Sequence, residues 1–328
     1  MNLLERPRRL RRHPSLRGFL KETTLEASQF IYPMFVLEGE NTAQDISAMP
    51  GIKRYSLDLA LEHANEAHAL GVPAVALFPA LANDLKDARG SESWNDEGLF
   101  ARVIRAFKQE LPDLMLVTDV ALDPYSSDGH DGLVAESGEI LNDETVDILV
   151  QMALTQARAG ADIIAPSDMM DGRIGAIRGG LDRAGFENVA VMAYSTKYAS
   201  SYYGPFRTAL DSAPKRGDKK SYQMDYAGGY REVMRESRLD VEQGADFLMV
   251  KPALAYLDVI RVVRDHFDLP LVAYNVSGEY AMIKAASSAG YVDERKIVLE
   301  TLTSIRRAGA DGILTYHALE AARWLKEG

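Results

Sequence analysis

The amino-acid sequence of 328 residues predicts a closed (β/α)8 barrel, the TIM-barrel fold class, from three observations. First, eight short apolar or β-branched runs alternate with segments of helical periodicity. Second, these runs are apolar on both faces, which is typical of parallel strands covered by helices. Third, no G-x-G-x-x-G motif follows the first run, which disfavours the alternative, a doubly wound open sheet that binds a dinucleotide.

The predicted strands and helices follow one another in regular order along the chain. Strands are predicted at 30–37, 74–79, 114–121, 162–166, 189–195, 246–251, 271–276 and 311–316. Helices are predicted at about 57–70, 96–111, 143–159, 173–185, 225–243, 255–267, 279–289 with 293–308, and 317–326. Three of the helix-to-strand turns read Gly-Ala-Asp, and glycine suits the left-handed residue that ends a helix.

Composition excludes several classes of protein. Apolar residues make up 47% and charged residues 26%, so the chain is not largely disordered. No run of about 18 apolar residues predicts a membrane span, and the arginine-rich N-terminus lacks the apolar core of a secretory signal. The absence of cysteine excludes disulfides, thiolate zinc sites, iron–sulfur clusters and cysteine nucleophiles. We therefore expect a cytoplasmic protein.

The net charge of −11 is unevenly distributed, with +6 on residues 1–21 and −17 on the remainder. Such a basic arm could bind nucleic acid, but the acidic body would repel phosphate. The acidic body is itself a suitable surface for the arm of a neighbouring copy. We therefore predict that residues 1–29 form an N-terminal arm for subunit contacts and that residues 30–328 form a catalytic barrel domain.

Two lysines stand at the ends of apolar runs, where barrel enzymes place their catalytic groups. Lys197 follows VAVMAYST, and Lys251 ends FLMVK. Burial and a neighbouring cation both lower the pKa of a lysine, and a neutral amine can attack a carbonyl to form a Schiff base. Either lysine alone could instead pair with a carboxylate at the rim, but the matched pair favours covalent chemistry.

Two long polar segments, 123–142 and about 199–224, interrupt the barrel pattern, and such loops are usually functional. The stretch 119–132 holds four aspartates and His130, which suit a hard metal ion or proton transfer, or simply turns. The second segment could close as a lid over a carboxylate-bearing substrate through its basic residues, Arg207, Lys215, Arg216, Lys219 and Lys220. Ser277 and Tyr316 end the seventh and eighth predicted strands, and their hydroxyls could bind a carboxylate.

Four segments resemble the porphobilinogen synthase (δ-aminolevulinic acid dehydratase) family, and the resemblance extends over essentially the whole chain. They are DVALDPYSSDGHDG (119–132), MAYSTKYASSYYGPFR (192–207), FLMVKPALAYLD (247–258) and YNVSGEYAM (274–282). The resemblance implies a hydro-lyase of tetrapyrrole biosynthesis. Such an enzyme condenses two molecules of 5-aminolevulinate to porphobilinogen with loss of two waters. It also implies a homo-octamer in which the arms wrap neighbouring subunits.

The resemblance also implies roles for individual residues. Lys251 matches the principal Schiff-base lysine, and Lys197 matches the second active-site lysine. The lid residues that match those holding one substrate are Arg207, Lys219 and Gln223. Ser277 and Tyr316 match the pair that binds the carboxylate of the other substrate. We further expect proton transfer by Asp119, Asp123 and Asp131.

The metal ion that we expect follows from a departure of this sequence from the family pattern. Zinc-dependent members carry three cysteines at the positions of Ala121, Asp123 and Asp131, so we expect no zinc here. Oxygen ligands favour magnesium, and the chain resembles the magnesium-responsive branch. Glu236 matches the carboxylate of the allosteric magnesium site in that branch. No organic cofactor is expected, and whether Asp123 or Asp131 holds an ion stays open.

Two other functions are compatible with parts of the sequence. A class I Schiff-base aldolase on the same fold would explain Lys251 but would leave Lys197 and the lid without a role. A nucleic-acid-binding assembly would use the basic arm, although the acidic body disfavours it.

Overall fold

The computed structural model describes residues 3–327 and shows a closed barrel of eight parallel strands, which confirms the predicted fold class. Each strand pairs with the next, and the last closes the barrel on the first through Phe30 opposite Ile313. Every predicted strand is present, with ends that differ by at most two residues. The strands are β1 (Phe30–Val36), β2 (Ala74–Pro79), β3 (Met115–Val120), β4 (Ile163–Pro166), β5 (Ala190–Lys197), β6 (Phe247–Lys251), β7 (Leu271–Asn275) and β8 (Gly312–Thr315).

Helices cover the outside of the barrel, except for the first, which lies in the N-terminal arm, and the sixth, which lies at the mouth. They are α1 (Pro14–Phe19), α2 (Leu57–Ala69), α3 (Leu99–Glu110), α4 (Asn142–Ala159), α5 (Arg173–Arg183), α6 (Gly204–Leu210), α7 (Tyr230–Glu242), α8 (Leu257–His266), α9 (Ser277–Ser288), α10 (Glu294–Ala308) and α11 (Ala318–Glu327). Over residues 3–327, no helix combines the length and the apolar character needed to cross a bilayer.

Two boundaries differ from the predictions for identifiable reasons, and a third is shifted by one residue. The seventh strand ends at Asn275, so Ser277 does not end a strand but is the first residue of α9. The Glu279 side chain accepts a hydrogen bond from the Val276 N–H at 3.0 Å and so starts the helix early. Helix α7 begins at Tyr230 rather than near 225, directly after the poor helix formers Gly228 and Gly229. Tyr316 follows β8 directly instead of ending it.

Strand periodicity decides which side chains reach the barrel interior. One apolar cluster fills the interior, and a second fills the layer between strands and helices. Val117 and Met249 belong to the interior cluster. Because alternate residues of a strand share a face, Asp119 and Lys251, each two residues further on, also face inward. Both lie at the C-terminal mouth of the barrel.

Lys197 faces the mouth because β5 contains an extra residue. Ala193 pairs with Leu248, but Thr196 pairs with Val250, so β5 uses three residues where β6 uses two. Such a bulge shifts the alternation of side chains by one position. Lys197 then comes into register with Lys251 across the two strands.

The long segment 199–224 is held closely against the mouth. Its two ends meet, because the Ala199 N–H donates to the Met224 carbonyl at 2.8 Å and the Met224 N–H donates to the Lys197 carbonyl at 3.0 Å. The segment is not wholly irregular, since it contains α6. We call it the lid.

Two short hairpins were not predicted from the sequence. One, Leu133–Val134 with Ile140–Leu141, lies within the segment 123–142. In the other, Ala43–Asp45 pairs with Lys53–Tyr55, and the latter strand also pairs with β1. Strands of two or three residues are too short to show a sequence periodicity.

The N-terminal arm packs little against its own barrel. Among the described residues the first buried apolar side chain is Leu25, whereas Leu4 is 91% and Phe19 is 85% exposed. The division into an arm (1–29) and a barrel (30–328) remains a prediction, and its ends, residues 1–2 and 328, lie outside the described residues.

Candidate active site

The mouth of the barrel brings most of the predicted site residues into one cavity. Asp119, Lys197 and Lys251 come from the strands, and Arg207 and Lys219 come from the lid. The full lining is Asp119, Asp123, Asp131, Ser167, Lys197, Tyr203, Phe206, Arg207, Lys219, Gln223 and Lys251. Of the predicted basic lid cluster, only Arg207 and Lys219 reach this cavity.

Lys251 lies in an aromatic cage. Its Nζ is 4.5 to 5.2 Å from the centres of four rings, and no carboxylate of the described residues forms a salt bridge with it. The rings belong to Tyr194, Tyr203, Phe206 and Tyr274. Burial, followed by the positive charge of Lys197, lowers the pKa of Lys251 to about 7. A large share of its amine is therefore neutral at neutral pH.

Lys197 has a different environment, because it pairs with Asp131. Its Nζ donates to Asp131 Oδ2 at 3.1 Å and also to the Ser167 carbonyl. Asp131 also accepts from Lys219 at 2.6 Å and from the Gln223 amide at 3.0 Å. Burial alone would raise the pKa of Asp131, but Lys197 and Lys219 outweigh it and hold that pKa well below its usual range.

The geometry bears on whether Asp131 holds an ion. Both of its carboxylate oxygens are engaged by cations and an amide, which leaves a metal ion little access. Lys219 also lies 3.6 Å from Asp123 Oδ2, and these carboxylates raise the pKa of Lys219 above its ordinary value in spite of burial. Asp131 is thus a counterion for two lysines.

Asp119 is the second titratable group close to neutrality. Burial and the nearby negative charge of Asp123 raise its pKa to about 7, although Lys251 and Lys197 act in the opposite direction. A carboxyl group of this kind can give and take a proton at neutral pH.

Ser277 and Tyr316 lie beside the cavity rather than in its lining. The Ser277 hydroxyl accepts a hydrogen bond from the Phe206 N–H at 3.0 Å. The Tyr316 hydroxyl is 2.9 Å from that of Tyr274, whose ring lies against Lys251. These contacts connect both residues to the aromatic cage.

Sequence reasoning missed the aromatic cage. Tyr194 and Tyr274 stand at inward positions of their strands, so alternation could have identified them. Tyr203 and Phe206 belong to the lid, and no local pattern indicates that their rings fold onto Lys251. His130, considered as a ligand or base, instead bridges the Tyr222 hydroxyl at 3.0 Å and the Arg216 carbonyl at 2.9 Å.

Glu236 lies apart from the lysines, in a separate cavity behind the lid. Glu232 and Asp171 line the same cavity, as do Tyr222 and Gln223 of the lid. Within residues 3–327, no group of three or more His, Cys, Asp or Glu side chains is arranged to hold a metal ion.

The chain matches one family of known proteins along almost its whole length. The family model described as "Delta-aminolevulinic acid dehydratase" matches residues 4–324. A chloroplastic delta-aminolevulinic acid dehydratase of Physcomitrium patens is 58% identical over 98% of this chain and 74% of its own length. The corresponding Synechococcus elongatus protein is 50% identical over 98% of both chains.

A solved structure agrees closely with this fold. The Toxoplasma gondii delta-aminolevulinic acid dehydratase, in complex with its reaction product porphobilinogen, has a TM-score of 0.97 at 52% identity. The match covers 99% of this chain and 92% of that one.

The expectation of a cytoplasmic location is contradicted. Several similar relatives, from Physcomitrium patens, Glycine max, Arabidopsis thaliana and Chlamydomonas reinhardtii, are named as chloroplastic enzymes. The expectation rested on the absence of cysteine. That absence restricts the redox chemistry of the protein but does not determine its cellular compartment.

The length of the family match and the identity to these relatives establish one conclusion: the chain belongs to the delta-aminolevulinic acid dehydratase family.

Proposed function

We propose that Lys251 is the covalent nucleophile of this enzyme. As a member of its family, the enzyme is a lyase that condenses two molecules of 5-aminolevulinate to porphobilinogen with loss of two waters. The observation that carries the proposal is the amine of Lys251, which lies among four aromatic rings, pairs with no carboxylate of the described residues and has a pKa of about 7. Family membership removes the aldolase and nucleic-acid alternatives.

The first chemical steps of the condensation follow from the environment of Lys251. The neutral amine of Lys251 attacks the ketone carbon of one substrate, and loss of water gives an iminium ion. The iminium withdraws electrons and acidifies the adjacent carbon. Asp119, which lines the same cavity and has a pKa near 7, takes that proton and returns protons to departing water. Asp123, beside Asp119, supports this role through its charge.

Lys197 acts mainly as a fixed positive charge. Its pairing with Asp131 keeps its amine occupied, while its charge lowers the pKa of Lys251. Asp131 pairs with both Lys197 and Lys219, and Asp123, 3.6 Å from Lys219, supplies the second negative charge, so the buried charges nearly cancel. An attack by Lys197 on the second substrate would first require its separation from Asp131.

The lid supplies groups for one substrate, and the opposite side supplies groups for the other. Arg207 and Lys219 present positive charge to the cavity and suit a carboxylate. Gln223 donates its amide N–H to Asp131, while its Oε1 is buried without a partner among residues 3–327 and can accept from a substrate amine. Ser277 and Tyr316 offer hydroxyls to the carboxylate of the second substrate. The closed lid excludes water while imines exist.

We expect imine formation to increase with pH through about 7 and then level off, because only the neutral form of Lys251 attacks. The variant Lys197→Gln removes a neighbouring cation and should move this midpoint to higher pH. The matched control Lys53→Gln removes a half-exposed cation that does not line the cavity and should leave the midpoint unchanged. The measurement is single-turnover imine formation, quenched with borohydride at a series of pH values. If the pH midpoint of imine formation is the same in Lys197→Gln as in the wild type, the charge of Lys197 does not lower the pKa of Lys251.

We propose that magnesium binds at Glu236 as an allosteric ion. The donor chemistry fits, because Glu236, Glu232 and Asp171 present carboxylates to one cavity. Magnesium keeps several waters and takes only one or two carboxylates, so a preformed group of three ligands is not required. There the ion would supply positive charge next to lid residues Tyr222 and Gln223. No zinc or organic cofactor is proposed.

After metal removal, added magnesium should increase the activity of the wild-type enzyme, whereas Glu236→Gln should lose most of that increase. Glu242→Gln, an exposed acid on the same helix, is the control and should respond like the wild type. Additions of zinc and potassium test ion specificity. Equal magnesium responses in the two variants would show that Glu236 does not hold the ion.

We propose that the enzyme is a homo-octamer held together partly by its arms. Residues 1–21 carry net charge +6 opposite an acidic body, and Leu4 and Phe19 stay exposed on a single chain. Deletion of residues 1–21 should give smaller assemblies in analytical ultracentrifugation, because these basic and apolar contacts are lost. An octamer that survives the deletion, with salt-dependent nucleic-acid binding lost instead, would contradict the proposal.

A further inference from the structure

The short lid helix α6 (Gly204–Leu210) carries two side chains that meet the active site. The Phe206 ring lies 5.2 Å from Lys251 Nζ, and the Phe206 N–H donates to the Ser277 hydroxyl. Arg207, the next residue, lines the same cavity. A displacement of α6 would therefore move part of the aromatic cage and the proposed carboxylate-binding arginine together.

The C-terminus of α6 is held by two cations that belong to neither the lid nor the catalytic cavity. Arg54 donates to the Thr208 carbonyl at 2.8 Å and to the Ala209 carbonyl at 2.5 Å. Lys86 donates to the Leu210 and Asp211 carbonyls, both at 3.0 Å. Four successive carbonyls thus have charged donors.

These contacts match what the end of a helix needs. The last carbonyls of a helix have no partner within it and carry partial negative charge, so cations stabilise them. Asp211 ends α6 in the left-handed conformation, with φ of 49°, and its side chain accepts from Asn83 at 3.1 Å. The side chains that donate to Thr208–Asp211, those of Arg54, Asn83 and Lys86, all come from the barrel side.

Both cations are themselves held by the barrel. Arg54 stands on the short strand Lys53–Tyr55, opposite Phe35 of β1, and also donates to Gln44 at 2.7 Å. Next to Lys86, the Asp87 carbonyl accepts from the Ser127 N–H at 2.9 Å, which connects it to the loop that carries Asp123. The segment Lys86–Asp87 therefore contacts both the lid and the loop that carries Asp123.

We propose that Arg54 and Lys86 are positioning residues that fasten the lid helix in its closed place and so set the affinity for substrate. They touch no reacting atom. Their effect passes through α6 to Phe206 and Arg207, and this part of the inference rests on the proposed role of Arg207. The fastening of the lid itself does not depend on that role.

The test is the double variant Arg54→Gln with Lys86→Gln, studied as the full chain by steady-state kinetics and by hydrogen exchange. The KM for 5-aminolevulinate should rise about tenfold, with a smaller change in kcat, because the loss is mainly of substrate binding. Amide exchange over 204–211 should accelerate about tenfold, while exchange in the barrel strands stays unchanged. Lys86→Arg keeps the charge and donors, and should behave like the wild type.

Lys53→Gln, on the same strand as Arg54, is the matched control, because Lys53 is a half-exposed cation that pairs with Asp45 and makes no hydrogen bond to the lid. Equal KM values for this control and the double variant, or faster exchange throughout the barrel, would overturn the inference. Arg207→Gln distinguishes the two proposals. If it leaves KM unchanged while the double variant still loosens 204–211, the substrate role of Arg207 fails and the fastening of the lid stands.

Discussion

Replacement of Lys251 by methionine should reduce kcat by about 10⁴-fold or more, the order expected when a covalent nucleophile is removed. The same replacement should not unfold the protein. Methionine fits among the four rings that surround the Lys251 amine, and it removes a charge that is costly to bury. We therefore expect an inactive enzyme whose thermal midpoint is unchanged or higher, as measured by calorimetry.

The control for this prediction is Lys53→Met, which removes a half-exposed amine outside the cavity lining and should keep full activity. Substantial activity in Lys251→Met would mean that another amine carries the reaction. Loss of both activity and folded structure would mean that Lys251 serves mainly to hold the barrel together, contrary to its environment.

Replacement of Asp131 by asparagine should affect both stability and rate. The carboxylate pairs with Lys197 at 3.1 Å and with Lys219 at 2.6 Å, and all three groups are buried. Removing one partner from a buried ion pair costs about 3–5 kcal/mol, because the remaining charges lose their compensation. Activity should fall by about 10²-fold or more, since the lid lysine and Lys197 are no longer held in place.

Asp128→Asn, in the same loop, is the matched control. Asp128 has no salt bridge among the described residues, so its replacement should change the free energy of unfolding by about 0.5 kcal/mol or less. Denaturant unfolding and steady-state rates measure both variants. An Asp131→Asn enzyme as stable and active as the control would refute the role of Asp131 as a shared counterion.

The strands could be predicted from the sequence because each is a short, mainly apolar or β-branched run bounded by turn residues. Lys251 could also be placed, since it continues the inward alternation of Met249 at the end of β6. Lys197 could be identified only by its position after a strand. A bulge between Ala193 and Thr196 decides which way it faces, and that bulge depends on pairing with β6 rather than on local sequence.

The partners of the two lysines could not be predicted in the same way. Asp131 lies 66 residues before Lys197 in the chain. Among the described residues it forms salt bridges with Lys197 and Lys219 but not with Lys251. The aromatic cage depends on how Phe206 and Tyr203 fold back with the lid. Such contacts join distant segments, and periodicity carries information only about neighbouring residues.

The central claim is that Lys251 forms the imine, and borohydride reduction in the presence of 5-aminolevulinate tests it most directly. Wild-type enzyme should gain one reduced substrate adduct, and peptide mapping should place it on Lys251, with none at that position in Lys251→Met. An adduct found only on Lys197 or Lys219, or no adduct at all, would contradict the account.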